Sequence, residues 1–329
     1  VTPAQIPARV RAWGWFMDRF RSMHIATMSR TDIEHNQSMR GIPAPVRRML
    51  FGARDKRVTV RDLSIATAGG PLGLRVYTPR GAGSPDGGLP IGVYFHGGGW
   101  TLFGGLDVCD WLPSRVAAEL RAVVVAVDYR LAPQHPYPAA VEDCLAAVRW
   151  ASEHADELGA SPDRLAVFGD SAGGNLSAVV ALVARDSGGP AIRAQGLIYP
   201  VTDTTLDDGS MRENARKPVL HRADMDAFFR HYLGASREHG ADDDPYVSPL
   251  RAESLADLPP ALVQVSAHDV LRDQALAYAA RLAASGTSVD VETYAEAPHG
   301  WVTYPGIMRV SRRASADLVA FLRRELAAR

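Results

Sequence analysis

Long apolar runs are missing from this chain: nothing in its 329 residues approaches the ~20 consecutive apolar residues of a membrane-spanning helix. The first twenty residues, VTPAQIPARVRAWGWFMDRF, also lack the continuous apolar core of a secretory signal. The expectation is a soluble, cytoplasmic protein with no stable membrane association, although a chain that begins at Val1 leaves open a leader removed earlier. Charge of one sign is scarce as well. The 36 Lys and Arg nearly match 37 Asp and Glu, so no general field draws in nucleic acid or an anionic surface. Cysteine is rarer still. Cys109 and Cys144 have no C-x-x-C spacing and no neighbouring His, which argues against a metal or redox site and fits free thiols in a reducing compartment.

What remains is the composition of an ordinary globular enzyme, with 47% of residues in the hydrophobic set and 22% charged. A single α/β domain can exceed ~250 residues, so this length asks for one domain with an elaboration rather than two domains. Around Gly69-Gly70-Pro71, alternation over Arg57 to Ile65 and Leu72 to Tyr77 predicts two antiparallel edge strands. Short apolar runs follow at Ile91 to Phe95, Ala122 to Val127, Leu165 to Phe168, Gly196 to Tyr199, Ala261 to Val265 and Val289 to Tyr294. Runs without alternation suit strands covered on both faces. Helical stretches lie between them, including Ala139 to Glu157, Ala172 to Asp186, Asp273 to Ser285 and Ser311 to Ala328. Strand and helix in alternation predict an α/β fold: about eight strands, mostly parallel, with helices on both faces.

Two segments break that rhythm. Residues 1–50 read as helical, and an insertion at about 203–245 separates two strands; together they are expected to form a helical cap over a catalytic domain of residues 51–329. The Gly- and Pro-rich stretch 80–90 reads as a mobile surface connection.

The chemistry is concentrated in three places. GDSAGGN, Gly169 to Asn175, holds G-x-S-x-G between an apolar strand and a helix of small residues, the setting of a nucleophile elbow centred on Ser171. Such a turn puts the serine at a helix N-terminus, where free N–H groups favour a developing negative charge. The bland reading, a Gly-rich helix entry with a capping Ser, loses ground to HGGGW, His96 to Trp100. That motif follows a strand at the place of an oxyanion loop. The oxyanion donors are assigned to the N–H groups of Gly98, Gly99 and Ala172, with Gly97 supplying the turn and His96 holding the loop rather than reacting.

A serine hydroxyl needs a base, and the base needs an orienting acid. Of ten histidines, His299 in EAPHGW follows the last strand and precedes the last helix. Asp269, in SAHDVLRDQ, is the first acid past the preceding strand, whereas Asp273 falls where a helix-capping Asp is expected. The order Ser171, Asp269, His299 is the Ser, Asp/Glu, His order of α/β hydrolases. The aromatics Trp100, Phe103 and Trp111 are candidate substrate contacts, against the commoner fate of core packing. Arg130 with Glu142 or Asp143 reads as a structural brace, Asp170 as a partner for nearby backbone, and Asp242 to Asp244 as a solvated loop rather than a calcium site.

These motifs, together with DYRLAPQHPYPAAVEDC from Asp128, DPYVSPL from Asp244, DVLRD from Asp269 and HGW from His299, resemble the hormone-sensitive-lipase-like esterases, bacterial family IV. The likeness runs over about residues 57–329. It implies an α/β-hydrolase fold with a helical cap, a lipolytic enzyme acting on short- to medium-chain carboxylic esters, no cofactor and no metal, and the triad and oxyanion residues named above. Gln134 and Gln274 stand where that family commonly has Glu, and Trp301 where it has Phe. The expected partner is a small-molecule ester, and a homodimer is compatible with the sequence. An amidase or deacetylase of a specific metabolite would use the same machinery, and a non-hydrolytic small-molecule-binding relative would keep the scaffold. An interfacial lipase is disfavoured because no strongly apolar amphipathic lid stands out.

Overall fold

Six of the apolar runs become neighbouring strands of one eight-stranded sheet in the computed structural model, which describes residues 2–20, 23–37, 41–81, 87–205, 207 and 209–327. The strands are β1 (Val58–Thr67), β2 (Gly70–Pro79), β3 (Leu89–Phe95), β4 (Val123–Asp128), β5 (Ala160–Asp170), β6 (Ala194–Ile198), β7 (Ala261–His268) and β8 (Val289–Pro298). Their order is β1-β2-β4-β3-β5-β6-β7-β8. From β4 to β8 every neighbouring pair is parallel, while β2 runs antiparallel to both β1 and β4. Every residue of β3 and β7 is buried, as apolar strands covered on both sides require. Only β1 is an edge. The expectation of two edge strands is corrected for β2, whose far side pairs with β4, and its Leu72, Leu74, Val76 and Tyr77 are correspondingly buried.

Helices α4 (Trp111–Leu120) and α10 (Val310–Glu325) cover one face of the sheet through residues such as Val116 and Leu318. On the other face lie α5 (Ala139–Glu153), α6 (Ala172–Ser187) and α9 (Arg272–Ala284). The sequence reading does not single out α4, because Pro113 interrupts its pattern. Pro113 falls in the first turn, where the missing N–H has no intrahelical partner to lose. Strand β5 also begins earlier than its apolar core suggests, at Ala160, and its pairing with β3 shifts register between Leu89 and Ile91. Residues 82–86 of the 80–90 connection lie outside the described residues.

The first fifty residues contribute α1 (Ala8–Asp18), α2 (Arg30–Asn36), α3 (Ala44–Phe51) and a short turn at Ile25–Thr27. The 203–245 insertion contributes α7 (Ser210–Glu213) and α8 (Arg222–Leu233). These two segments meet at Asp224. Its buried carboxylate accepts from His24 Nδ1 at 2.8 Å and from the Ala26 N–H at 3.2 Å, and this bond raises the pKa of His24. The acids Asp242 to Asp244 are each spoken for: Asp242 by Thr204 and Arg237, Asp243 by Arg251, and Asp244 by the Tyr137 hydroxyl and the Tyr246 N–H.

The two glutamines that depart from the family pattern have structural partners. The Gln134 amide pairs reciprocally with that of Gln37, at 2.9 and 3.2 Å, which ties the end of α2 to the catalytic domain. Gln274, buried on α9, accepts the backbone N–H groups of Thr202 (2.6 Å) and Asp203 (3.0 Å) with one oxygen and so holds the chain as it enters the insertion. Substituting Gln274→Leu keeps the volume but strands two buried donors. Urea denaturation is expected to show a loss of about 1–3 kcal/mol.

Candidate active site

All the residues singled out for chemistry fall at the carboxyl ends of parallel strands, the edge at which open α/β sheets present their sites. Ser171 follows β5 and starts α6 with φ 56° and ψ −116°, a conformation that a residue with a side chain adopts only under constraint from its surroundings. The flanking glycines are obligatory for contact reasons. A Cβ on Gly173 would lie 2.0 Å from the Phe95 carbonyl oxygen, and one on Gly169 would lie 2.3 Å from that of Gly173. Asp269 follows β7, and His299 follows β8. His299 Nε2 lies 3.0 Å from Ser171 Oγ, and its Nδ1 donates to Asp269 Oδ2 at 2.7 Å. The other oxygen of Asp269 accepts the Leu271 N–H at 2.9 Å, which fixes the carboxylate. Bonding at Nδ1 leaves the Nε2 lone pair facing the hydroxyl, the tautomer a general base needs.

Asp273, the alternative acid, is turned away and accepts instead from Arg272 and the Ser210 N–H. Arg130 binds Asp143 at 2.9 Å and Glu142 at 3.1 Å, outside the cleft. His96 is fully buried, bonds the Gly97 carbonyl through Nδ1 at 2.7 Å and stacks on Tyr129 at 4.3 Å. It shapes the loop.

The oxyanion loop is positioned by Asp170. Its Oδ1 accepts the Gly97 N–H at 3.1 Å and the Tyr94 hydroxyl at 2.7 Å, and burial pushes its pKa up. With Gly97 so engaged, the N–H groups of Gly98 and Gly99 make no protein hydrogen bond among the described residues, and both glycines line the cleft beside Ser171 and His299. Ala172 is the first residue of α6, where a helix leaves its N–H groups unpaired. Gly99 has φ 59°, and a Cβ there would sit 2.1 Å from Phe228 of α8.

The cleft holds about 590 Å³ of empty space, open solvent at its mouth included. Its apolar wall is built by Met17, Met23 and Ile25 from the N-terminal segment, Leu102 and Phe103 after the oxyanion loop, and Leu220 and Phe228 from the insertion. Of the three expected aromatic contacts, Phe103 is there and two need correction. Trp100 is fully buried and stacks on Tyr232 at 4.1 Å, so it supports the loop from beneath. Trp111 packs behind the loop, beside Gly97 and Cys109, in a separate small cavity. The sequence reading also missed Tyr94, Tyr199 and Thr303, whose hydroxyls surround Asp170. They sit on different elements, and no local spacing joins them.

Known proteins carry the same architecture. Residues 92–303 match the model of the alpha/beta hydrolase fold family. The chain is 45% identical over 257 residues to Esterase LipI of Mycobacterium tuberculosis, covering 78% of this chain and 79% of that one. It is likewise 45% identical to Carboxylesterase NlhH of the same species, over 72% of this chain and 74% of the other. Among solved structures, the hyperthermophilic esterase of Pyrobaculum calidifontis superposes with a TM-score of 0.85 at 33% identity, over 98% of this chain and 100% of that one. This chain belongs to the alpha/beta hydrolase family, in its hormone-sensitive-lipase-like branch of carboxylesterases, and is a carboxylic ester hydrolase.

Two substitutions separate the parts of the site. Asp269→Asn is expected to leave the melting temperature within a few degrees of wild type and to lower kcat about 10⁴-fold, through the wrong His299 tautomer. Gly99→Ala, forced against Phe228, is expected to cost about 100- to 1,000-fold in kcat by spoiling one donor. Steady-state rates with circular dichroism as a folding control would check both.

Proposed function

We propose that this enzyme hydrolyses short- to medium-chain carboxylic esters through an acyl-enzyme on Ser171. The observation that carries the reading is Ser171 Oγ, raised on a constrained turn into the cleft, 3.0 Å from His299 Nε2. His299 takes the hydroxyl proton as Ser171 attacks the ester carbonyl, and the N–H groups of Gly98, Gly99 and Ala172 stabilise the oxyanion. His299 then returns the proton to the leaving alcohol. Water repeats the sequence on the acyl-enzyme, with His299 as base, and releases the acid. Asp269 orients the imidazole and stabilises its charged form throughout.

The acyl-chain range follows from the walls. A cleft walled by Met17, Met23, Leu220 and Phe228 suits a modest apolar chain better than a long one. Both cap segments supply that wall, which supports treating residues 1–50 and 203–245 as one cap. The two unpaired thiols, Cys109 and Cys144, favour a cytoplasmic setting. The partner in this reading is a small-molecule ester, with no role for nucleic acid.

Initial rates on p-nitrophenyl esters from acetyl to palmitoyl should peak at the short end and vanish in Ser171→Ala. A peak at palmitoyl would overturn the chain-length reading, and undiminished turnover in the variant would overturn the role of Ser171. Matched p-nitroanilides should be slower than the esters; the reverse would make the enzyme an amidase.

A further inference from the structure

Above the rim of the cleft, three side chains that the ester chemistry does not use converge on one point. Asp18 ends α1, His24 lies just before the turn at Ile25–Thr27, and His221 immediately precedes α8. Asp18 Oδ1 is 3.2 Å from His24 Nε2 and 3.4 Å from His221 Nε2, and the three ligand atoms all lie within 4.8 Å of one another. Zinc bonds of about 2.0–2.1 Å place adjacent tetrahedral ligand atoms about 3.3 Å apart, so two of these spacings already match.

Two features of the surroundings suit a bound metal. Asp224, itself buried, accepts the Nδ1–H of His24 and the backbone N–H of His221, so His24 would ligate through Nε2, which without an ion hydrogen-bonds Asp18 Oδ1. A carboxylate behind the distal ring nitrogen is the usual support of a metal-bound histidine. His221 Nε2 is buried and makes no aligned hydrogen bond. The two imidazoles stack at 4.5 Å with nearly parallel planes, so binding of one ion by both requires one ring, that of His221, to turn and bring its lone pair onto the point His24 faces. Asp18 is half-exposed, which leaves a way in for an ion and room for a fourth, water ligand. Two imidazoles and a carboxylate are the donors of zinc-like ions rather than of magnesium or calcium, and the charges of Asp18 and Asp224 would offset a divalent ion.

We propose that Asp18, His24 and His221 form a Zn²⁺ site in the cap, with Asp224 orienting His24. Its place determines what it does. Met17, next to Asp18, and Leu220, next to His221, both line the cleft, so an ion here ties the N-terminal segment to the insertion across the cleft wall. The site is separate from the triad and needs no metal chemistry in the reaction.

Isothermal titration of the chelator-treated full chain with Zn²⁺ should show one ion bound, with a melting temperature that rises with Zn²⁺ and not with Mg²⁺. Asp18→Asn, His24→Gln and His221→Gln should each weaken binding at least tenfold and abolish the thermal shift, and Asp224→Asn about tenfold through His24. Asp18 is a surface residue, so its variant keeps the test sound if a histidine variant folds poorly. Co²⁺ in place of Zn²⁺ should give the visible bands of a four-coordinate nitrogen and oxygen site. No stoichiometric binding, or binding unchanged in both Asp18→Asn and His221→Gln, would overturn the proposal.

Discussion

Backbone packs directly against backbone where the end of β3 passes beneath the turn at Ser171. Gly173 and Gly169 face the Phe95 carbonyl at distances that leave no room for even a methyl group. Through that contact the strand carrying the oxyanion loop and the turn carrying the nucleophile become one rigid body. The spacing between Ser171 and the N–H groups of Gly98 and Gly99 is then set by main chain alone, which rotamer changes cannot disturb. Asp170 completes the join, since it neighbours Ser171 in sequence and accepts from Gly97 in space. A carboxylate in so buried a place persists because Tyr94, Tyr199, Thr303 and the Gly97 N–H surround it with donors.

A floor of this kind contrasts with the roof. Ser171, Asp269 and His299 stand at the ends of β5, β7 and β8, of which β5 and β7 are paired on both sides and β8 is paired along its inner side with β7. The N-terminal segment and the insertion reach the same cleft through short helices, a turn and a few polar anchors, chiefly Asp224 and the Gln37–Gln134 pair. Oxyanion stabilisation needs donors that do not reorganise, and the sheet supplies them. Substrate fit tolerates, and uses, a wall with lower local stability. Phe228 joins floor and roof because it lies on α8 of the insertion and rests on Gly99. A shift of α8 is thereby felt at the oxyanion loop.

Where the sequence was legible, the chemistry was tied to local backbone constraint. G-x-S-x-G and HGGG announce themselves because only glycine fits those contacts, and Asp269 and His299 can be found by their place after a strand. Periodicity located the buried strands because strands covered on both faces carry unbroken apolar runs. It placed β2 wrongly at an edge, since an antiparallel strand with one mixed face reads alike whether or not a neighbour pairs with its far side. The aromatic contacts were read only in part. Trp100, Phe103 and Trp111 are close in sequence, yet a left-handed turn at each of Trp100 and Phe103 and the start of α4 at Trp111 send the three rings to three different places.

By itself, then, the sequence determined the candidate reacting groups and their order along the chain, because each is bound to a local motif that few other residue types can build. Tertiary structure alone decided the distances among them, the ring of hydroxyls around Asp170, and the walls of the cleft. It also brought Asp18 and His24 to His221, residues about two hundred positions apart. Such contacts arise from packing between elements, and no local spacing encodes which distant side chains will meet.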